Sequence, residues 1–221
     1  MLQPLPYIGR QASRSDGQAR RIAILEATLR LIVAEGVRGV RHRAVAKLAA
    51  VPLASTTYYF GDIKELIHDA LTFHAHKTMV ANLALEQQSF SALSSYSAES
   101  LAKPEQLQAL RDMLTGFICG HIKMQVADRD ERILEMAFQE EALRNPVLAE
   151  AIILLDEAIL VPVTQFFARL EHGNPGVPAR QIIALIRFLE YRYSVRQSFD
   201  GTECELSVRD LLNQLIVAPA V

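Results

Sequence analysis

With 221 residues, half of them apolar, the chain can bury a substantial core as one large or two small domains. Cys119 and Cys204 lie far apart without CxxC or metal-ligand spacing, which reads as two unlinked thiols of a reducing cytoplasm, and Met1 to Gln18 lacks the apolar run of a secretory peptide. The net charge of −2 alone argues against nucleic acid, but residues 1–66 hold ten basic and five acidic side chains and residues 67–221 thirteen and twenty, so a positive end stands on an acidic body, the footprint of a protein that presents one face to phosphates.

Residues 1–17, with Gly9, Gly17 and two prolines, read as a flexible arm, more simply a disordered tail than one whose Arg10 and Arg14 reach DNA. The first helix is expected from about Gln18 to Glu35. Ser15 with Gln18 resembles a capping box, Ile22, Leu25, Leu29, Ile32 and Val33 form an apolar stripe, and Gly36 suits the C-terminal cap. Val45, Ala46 and Ala49 then bury one face of a short second helix, which Val51-Pro52 breaks. A third helix of about two turns follows, with Ser55, Thr57, Tyr58 and Tyr59 expected on its surface and Phe60 inward, and Gly61 ends it. Two short helices around a tight turn are the geometry of a helix-turn-helix, whose second helix lies in the DNA major groove.

Asp62 with Glu65 reads as a capping box opening a long helix that continues past Met79. A polar, Ser-rich loop is expected from Gln87 to Ser100, and Pro104 opens a helix to about Val126. Asp128 with Glu131 begins the next, which ends near Asn145-Pro146. Pro146 starts a longer one, with a kink at Pro162 and an end at His172-Gly173. A turn over Gly173 to Pro178 leads to two last helices, about Ala179–Gln197 and Glu205–Val217. No alternating β-branched run occurs, so the expected fold is all-α with about nine helices. The most hydrophobic stretch, Ala151 to Val163, is interrupted by Asp156 and Glu157 and is too short to span a membrane, so a soluble, cytoplasmic protein is expected.

Residues 20–66 resemble the DNA-binding domain of the tetracycline-repressor-type (TetR) regulators. The resemblance rests on Gly36, Val45, Ala46, Ala49, Ala50, Val51, Tyr58, Tyr59, Phe60, Asp62, Lys64, Glu65 and Leu66. Ala50 replaces the usual turn glycine, Pro52 stands where Ser or Thr usually caps the recognition helix, and Arg41-His42 replaces a Thr-containing pair. The resemblance implies a homodimeric regulator, most simply a repressor, released from palindromic double-stranded operator DNA by a small apolar or amphipathic effector. It implies a DNA-binding domain over 18–66 and a helical effector-binding and dimerisation domain over 67–221. It further implies phosphate contacts from Tyr58, Tyr59 and Lys64, base-edge contacts from Ser55 and Thr57, and backbone contacts from His42 and Arg43.

Within the body, Gly116 and Gly120 weaken a helix by about 1 kcal/mol each, a cost that suits close helix packing or ligand access. Met113, Phe117, His121 and Met124 share helical spacing and can line one wall of an effector pocket. Met136, Gln139 and Phe166 are candidates for the opposite wall. Ile182, Ile186, Leu189 and Tyr193, with Val208, Leu211, Leu212 and Leu215, stripe the last two helices and are the candidate dimer interface.

Other chemistry is poorly supported. His74 and His76 diverge on one helix, although His68 and His76 stand two turns apart, and no metal or cofactor is expected. Glu140-Glu141 and Asp156-Glu157 are adjacent pairs that diverge, and neither a Gly-rich phosphate loop nor a nucleophile elbow is present. No enzymatic activity is expected. The alternatives are a helical enzyme or binding module whose helix-turn-helix is structural, and an architectural DNA-binding protein without effector.

Overall fold

The computed structural model describes residues 6–77, 96, 98–170 and 173–217. Among them the secondary structure is helical without strands: nine helices of seven residues or more and one of four. In chain order these are α1 (Ser15–Glu35), a 3-10 turn (Val37–Gly39), α2 (His42–Leu48), α3 (Leu53–Tyr59), α4 (63–77), α5 (Ala98–Leu101), α6 (Pro104–Ala127), α7 (Arg129–Ala142), α8 (Pro146–Arg169), α9 (Gly176–Arg196) and α10 (Gly201–Leu215). The predicted Ser-rich loop and the extension of α4 past Met79 fall largely outside the described residues, as does His172.

The chain forms two compact units, one of Met1–Leu83 with Ile133–Asp156, the other of Ala84–Arg132 with Glu157–Val221. In the first, α1 packs on α2 and α3 around Ile24, Leu25, Ile32, Val40, Val45, Phe60, Leu66 and Leu71, and Phe138 and Leu148 belong to the same core. The buried face of α1 is Ile24, Leu25, Thr28, Leu31 and Ile32, whereas Ile22, which the sequence reading placed in the stripe, is 42% exposed. The proposed capping box at Ser15 also fails. The helix already includes Ser15, and Arg14 stands at its N-cap without a side-chain bond. Gly36 does end the helix, at φ +72°, a left-handed backbone that glycine adopts at little cost.

In the second unit α6 packs against α9 and α10 around Leu110, Ile122, Phe167, Leu189, Tyr193, Cys204 and Val208. The start of α10 comes four residues before the expected Glu205. Asp200 is its N-cap, and its carboxylate accepts the Glu203 N–H at 3.0 Å. Such a cap contributes about 1 kcal/mol. Glu131 N–H bonds Asp128 in the same way at 3.1 Å, as its spacing predicts, and Glu65 N–H bonds Asp62 at 2.9 Å. Pro162 lies inside α8, where it removes one backbone donor.

Candidate nucleic-acid interface

The turn between α2 and α3 has a defined geometry. Val51 N–H reaches back to the Ala46 carbonyl at 3.0 Å and Ala50 N–H to that of Lys47 at 3.3 Å, the two bonds of a Schellman ending. That ending needs a left-handed residue, and Ala50 supplies it at φ +53°. The turn therefore keeps the conformation that glycine would favour and holds it with an alanine, at a cost of about 1–2 kcal/mol. Pro52 takes the N-cap position of α3, which thus has no capping side chain.

α3 has two distinct faces. Ser55, Thr56 and Tyr59 are buried, whereas Leu53, Ala54, Thr57 and Tyr58 face solvent. Two sequence-based expectations are corrected here. Ser55 is only 9% exposed and Tyr59 only 5%, so neither lies on the open surface. The Tyr59 hydroxyl donates to the Gly17 carbonyl at 3.2 Å, and its ring lies beside Phe60 in the core. Phe60 points inward as expected, but it is already outside the helix in extended backbone (φ −132°, ψ 114°).

The neighbouring elements carry exposed cations: Arg41, Arg43 and Lys47 on and before α2, and Lys64 on α4. Arg41 itself is turned back, with Nη1 donating to the carbonyls of Arg38 (2.5 Å) and Val40 (2.8 Å). His42 is half-buried at the first position of α2, and its Nδ1 has no hydrogen-bond partner among the described residues. The guanidinium of Arg10 lies 4.1 Å from the Tyr58 ring centroid, a cation–π contact that holds an N-terminal cation against α3.

That contact belongs to a docked arm. Residues 6–14 were expected to be flexible, yet the Arg10 N–H bonds the Tyr59 carbonyl at 2.8 Å, and the N–H groups of Ile8 and Gly9 bond the Asp69 carboxylate at 2.8 and 3.1 Å. Asp69 is fully buried on α4 and pairs with the Arg21 guanidinium from α1, whose Nε also donates to the Arg10 carbonyl at 3.2 Å. No sequence periodicity reveals this latch, because its partners lie 48 to 61 residues apart.

The body residues singled out from sequence are placed as follows. Met113 and Phe117 pack partly buried against the core of the second unit, and Phe166 is buried in it. Met124 faces solvent, and Met136 and Gln139 stand on the part of α7 that belongs to the first unit, Met136 exposed. Gly116 and Gly120 stand apart from the wall formed by Met113, Phe117 and His121. They line an open groove of about 320 Å³ on another face of α6, together with Cys119 and Phe199. A Cβ at either glycine would meet nothing within 4 Å, so tight helix packing does not explain them.

His121 is mostly buried, with Nε2 3.5 Å from a Glu190 carboxylate that also faces Arg132 at 3.8 Å. Burial, assisted by the Arg132 charge, pushes the His121 pKa down. The candidate dimer residues also move inward. Ile182, Leu189, Tyr193, Val208, Leu212 and Leu215 are buried in the chain's own core, with Ile186 and Leu211 packed partly buried against it. What α9 and α10 leave exposed instead is Val177, Phe188, Tyr191 and Val195 on one helix and Leu206 on the other. No helix among the described residues is long and apolar enough to cross a membrane.

No protein-family model matches the sequence, and no curated protein is significantly similar to it. Solved structures are. A TetR-family member from Streptomyces coelicolor is 26% identical, with 90% of this chain and 98% of that one aligned at a TM-score of 0.59. The multidrug binding protein EbrR, solved in complex with proflavin, is 25% identical over 89% of this chain and 99% of its own, at a TM-score of 0.52. NalD from Pseudomonas aeruginosa, the secondary repressor of the MexAB-OprM multidrug efflux pump, is 19% identical over 93% and 100%, at a TM-score of 0.58, which is a likeness of fold alone. In its helix-turn-helix and in the architecture that it shares with these proteins over about nine-tenths of its length, the chain is similar to TetR-family transcriptional regulators.

Proposed function

We propose that the protein is a homodimeric repressor that binds palindromic double-stranded DNA through α2, α3 and the start of α4, and that a small apolar or amphipathic molecule releases it. Residues 18–66 form the DNA-binding part, to which the docked arm is added, and residues 67–221 bind effector and dimerise. One observation carries the DNA reading. α3 is fixed to the core by Tyr59 and Thr56, and its other face, with Thr57 and Tyr58, is left open, while neighbouring elements carry the exposed cations Arg10, Arg43, Lys47 and Lys64. Thr57 reads base edges, while Tyr58, Lys64, Arg43 and His42 position the helix on phosphates.

The ligand-responsive part is supported by EbrR, solved with proflavin, and by NalD, a repressor of a multidrug efflux pump. Dimerisation uses the exposed stripe Phe188, Tyr191 and Val195 with Leu206, since the more regular apolar stripes are consumed by the core. The protein acts in the cytoplasm, on DNA, and its structural relatives include a TetR-family member and a transcriptional regulator from Streptomyces coelicolor.

The test uses full-length protein and DNA fragments carrying the inverted repeats that flank its own gene. Fluorescence anisotropy is expected to give specific binding at least about 10³-fold tighter than to random duplex at the same salt. Proflavin, added as a probe of an aromatic cationic effector, is expected to weaken the complex. Equal affinity for all duplexes would remove the operator reading. A complex insensitive to proflavin and to a panel of apolar amphiphiles would remove the ligand reading alone.

A further inference from the structure

Cys119 and Cys204 are separated by 85 positions in the chain, yet α6 and α10 bring their sulfurs to 3.3 Å. Both are free thiols, joined by an S–H···S hydrogen bond. Their surroundings differ. Cys204 is fully buried in the core of the second unit, whereas Cys119 is partly exposed and lines the groove of about 320 Å³. Gly116 and Gly120, three residues before Cys119 and one after it, share that groove. Neither is demanded by packing, since a Cβ at either would touch nothing within 4 Å. What two glycines do achieve there is to leave the sulfur uncovered, at a helix-propensity cost of about 1 kcal/mol each.

We propose that Cys119 and Cys204 form an oxidation site for small hydroperoxides, in which Cys119 is the attacked thiol, Cys204 the resolving thiol, and the product a disulfide between α6 and α10. The Cys119 thiolate attacks the peroxide oxygen and becomes a sulfenic acid, and the alkoxide released takes a proton to leave as an alcohol. The Cys204 sulfur then displaces the hydroxyl from Cys119, which departs as water with the Cys204 proton. Two thiols and one hydroperoxide thus give one disulfide, one alcohol and one water.

Contact distance shortens the conformational search in the second step, because the two sulfurs have only to close from 3.3 Å to a bond of about 2.05 Å. The groove supplies the first step with an entrance. Its charged groups act on Cys119 in opposite directions: Arg209 favours the thiolate and Glu205 opposes it, with Asp112 and Lys123 at the rim. Burial outweighs the hydrogen bond with Cys204 and the charge of Arg209 and pushes the Cys119 thiol up, while Cys204 is pushed up to about 12. The thiolate is therefore scarce near pH 7, and the reaction is slow there and speeds up about tenfold per pH unit while the pH stays below the Cys119 pKa.

The experiment treats reduced full-length protein with cumene hydroperoxide and follows intact mass and peptide maps. Wild type is expected to lose the mass of two hydrogens and to yield one cross-linked pair of peptides, those containing Cys119 and Cys204, without an intermolecular product. Closing a loop of this length should also raise the Tm by roughly 5–15 °C. Cys204→Ser is expected to stop at a sulfenic acid on Cys119 that dimedone traps. Cys119→Ser is expected to leave Cys204 at least about tenfold less reactive than Cys119 in wild type, because Cys204 is fully buried and does not line that groove.

Gly116→Leu should slow oxidation about tenfold or more by covering the sulfur. Gly116→Ala adds a similar helix preference with little bulk and should stay within about threefold of wild type. Cross-links between chains only, Cys204 oxidised at the wild-type rate in Cys119→Ser, or equal rates in Gly116→Leu and wild type would each overturn the proposal.

Discussion

The guanidinium of Arg21 and the carboxylate of Asp69 form a buried ion pair that ties α1 to α4 and holds the N-terminal arm beneath it. Four groups converge on the one carboxylate: Arg21, the N–H groups of Ile8 and Gly9, and the His68 ring at 3.3 Å. The charge is tolerated inside because nearly every lone pair has a partner. Tyr7 and Phe60 complete the enclosure, with the Arg21 guanidinium 4.5 and 5.5 Å from their ring centroids.

Removing one partner of such a pair leaves the other charged and unpaired. Asp69→Ala is therefore expected to lower stability by about 3–5 kcal/mol and to release the arm. Gly9→Ala should release the arm by another route, since its Cβ would fall 2.7 Å from Phe60 Cδ1 and 2.8 Å from Asp69 Oδ2. Urea denaturation, with limited proteolysis between residues 6 and 14, reads both effects. An Asp69→Ala protein within 1 kcal/mol of wild type, its arm still protected, would show that the latch contributes little.

Tyr58 and Tyr59 are adjacent in sequence but are expected to behave in opposite ways. Tyr59→Phe deletes the hydrogen bond to Gly17 and should cost about 1 kcal/mol of stability while leaving DNA affinity nearly unchanged. Tyr58→Ala and Lys64→Ala should leave stability alone and weaken binding to every DNA sequence, Lys64→Ala also lowering the salt slope by about 1. Thr57→Ala should instead change which operator is preferred. Anisotropy titrations at several salt concentrations, paired with thermal melts, separate the two classes. Loss of DNA binding in a stable Tyr59→Phe protein would reverse the assignment of the two faces.

Ala50 occupies a left-handed position in an exposed turn. Glycine there relieves about 1–2 kcal/mol of backbone strain and gives back part of it through a more flexible unfolded chain. Ala50→Gly is thus expected to stabilise the protein by about 0.5–1 kcal/mol without altering the DNA-facing surface. A lower midpoint of unfolding for Ala50→Gly would mean that the turn does not hold φ +53° in solution.

How far the sequence could lead depended on the range of the interactions. Local signals read well: Gly36 at the end of α1, Pro104 and Pro146 at helix starts, and the Asp62 and Asp128 caps all follow from spacing within four residues. The helix-turn-helix was legible for the same reason. The inward face of α3 escaped the sequence, because a seven-residue helix holds too few apolar positions to fix its phase. Likewise, the stripes on α9 and α10 were legible as apolar but not assignable to a partner, since a core face and an interface have the same periodicity. Only the burial of Leu189, Tyr193 and Val208 against α6 decides between them. The Arg21–Asp69 latch and the Cys119–Cys204 contact were beyond reach, because one sequence carries no trace of a pairing across 48 or 85 residues.

The corrected stripe gives a direct dimer test. Phe188, Tyr191 and Val195 follow helical spacing and are each more than half exposed, an apolar surface that costs solubility unless it is covered. Phe188→Glu with Val195→Glu is expected to give a folded monomer with much weaker operator binding, since one recognition helix then loses the benefit of its linked partner. Val208→Asp should unfold the second unit instead, because Val208 is fully buried. Sedimentation at micromolar concentration with circular dichroism distinguishes these results. A Phe188→Glu/Val195→Glu protein that remains dimeric would place the interface elsewhere.

The last prediction concerns acid. Glu190 lies 3.5 Å from His121 and by itself would favour the imidazolium, but burial and the charge of Arg132 act the other way and depress the His121 pKa below that of the unfolded chain. Between the depressed folded pKa and about 6.5, the unfolded state then binds more protons at this site than the native state does. The contribution of His121 to stability is therefore fully present above about pH 6.5 and is lost as the pH falls through that window. His121→Gln removes the titration, so its stability should fall less steeply between pH 7 and 5 than that of wild type. Urea midpoints across this range, together with the His121 imidazole shift followed by NMR, check the sign. A wild-type protein whose His121 titrates above the unfolded value would mean that the Glu190 pairing outweighs burial, and the His121 contribution would then vanish on raising the pH instead.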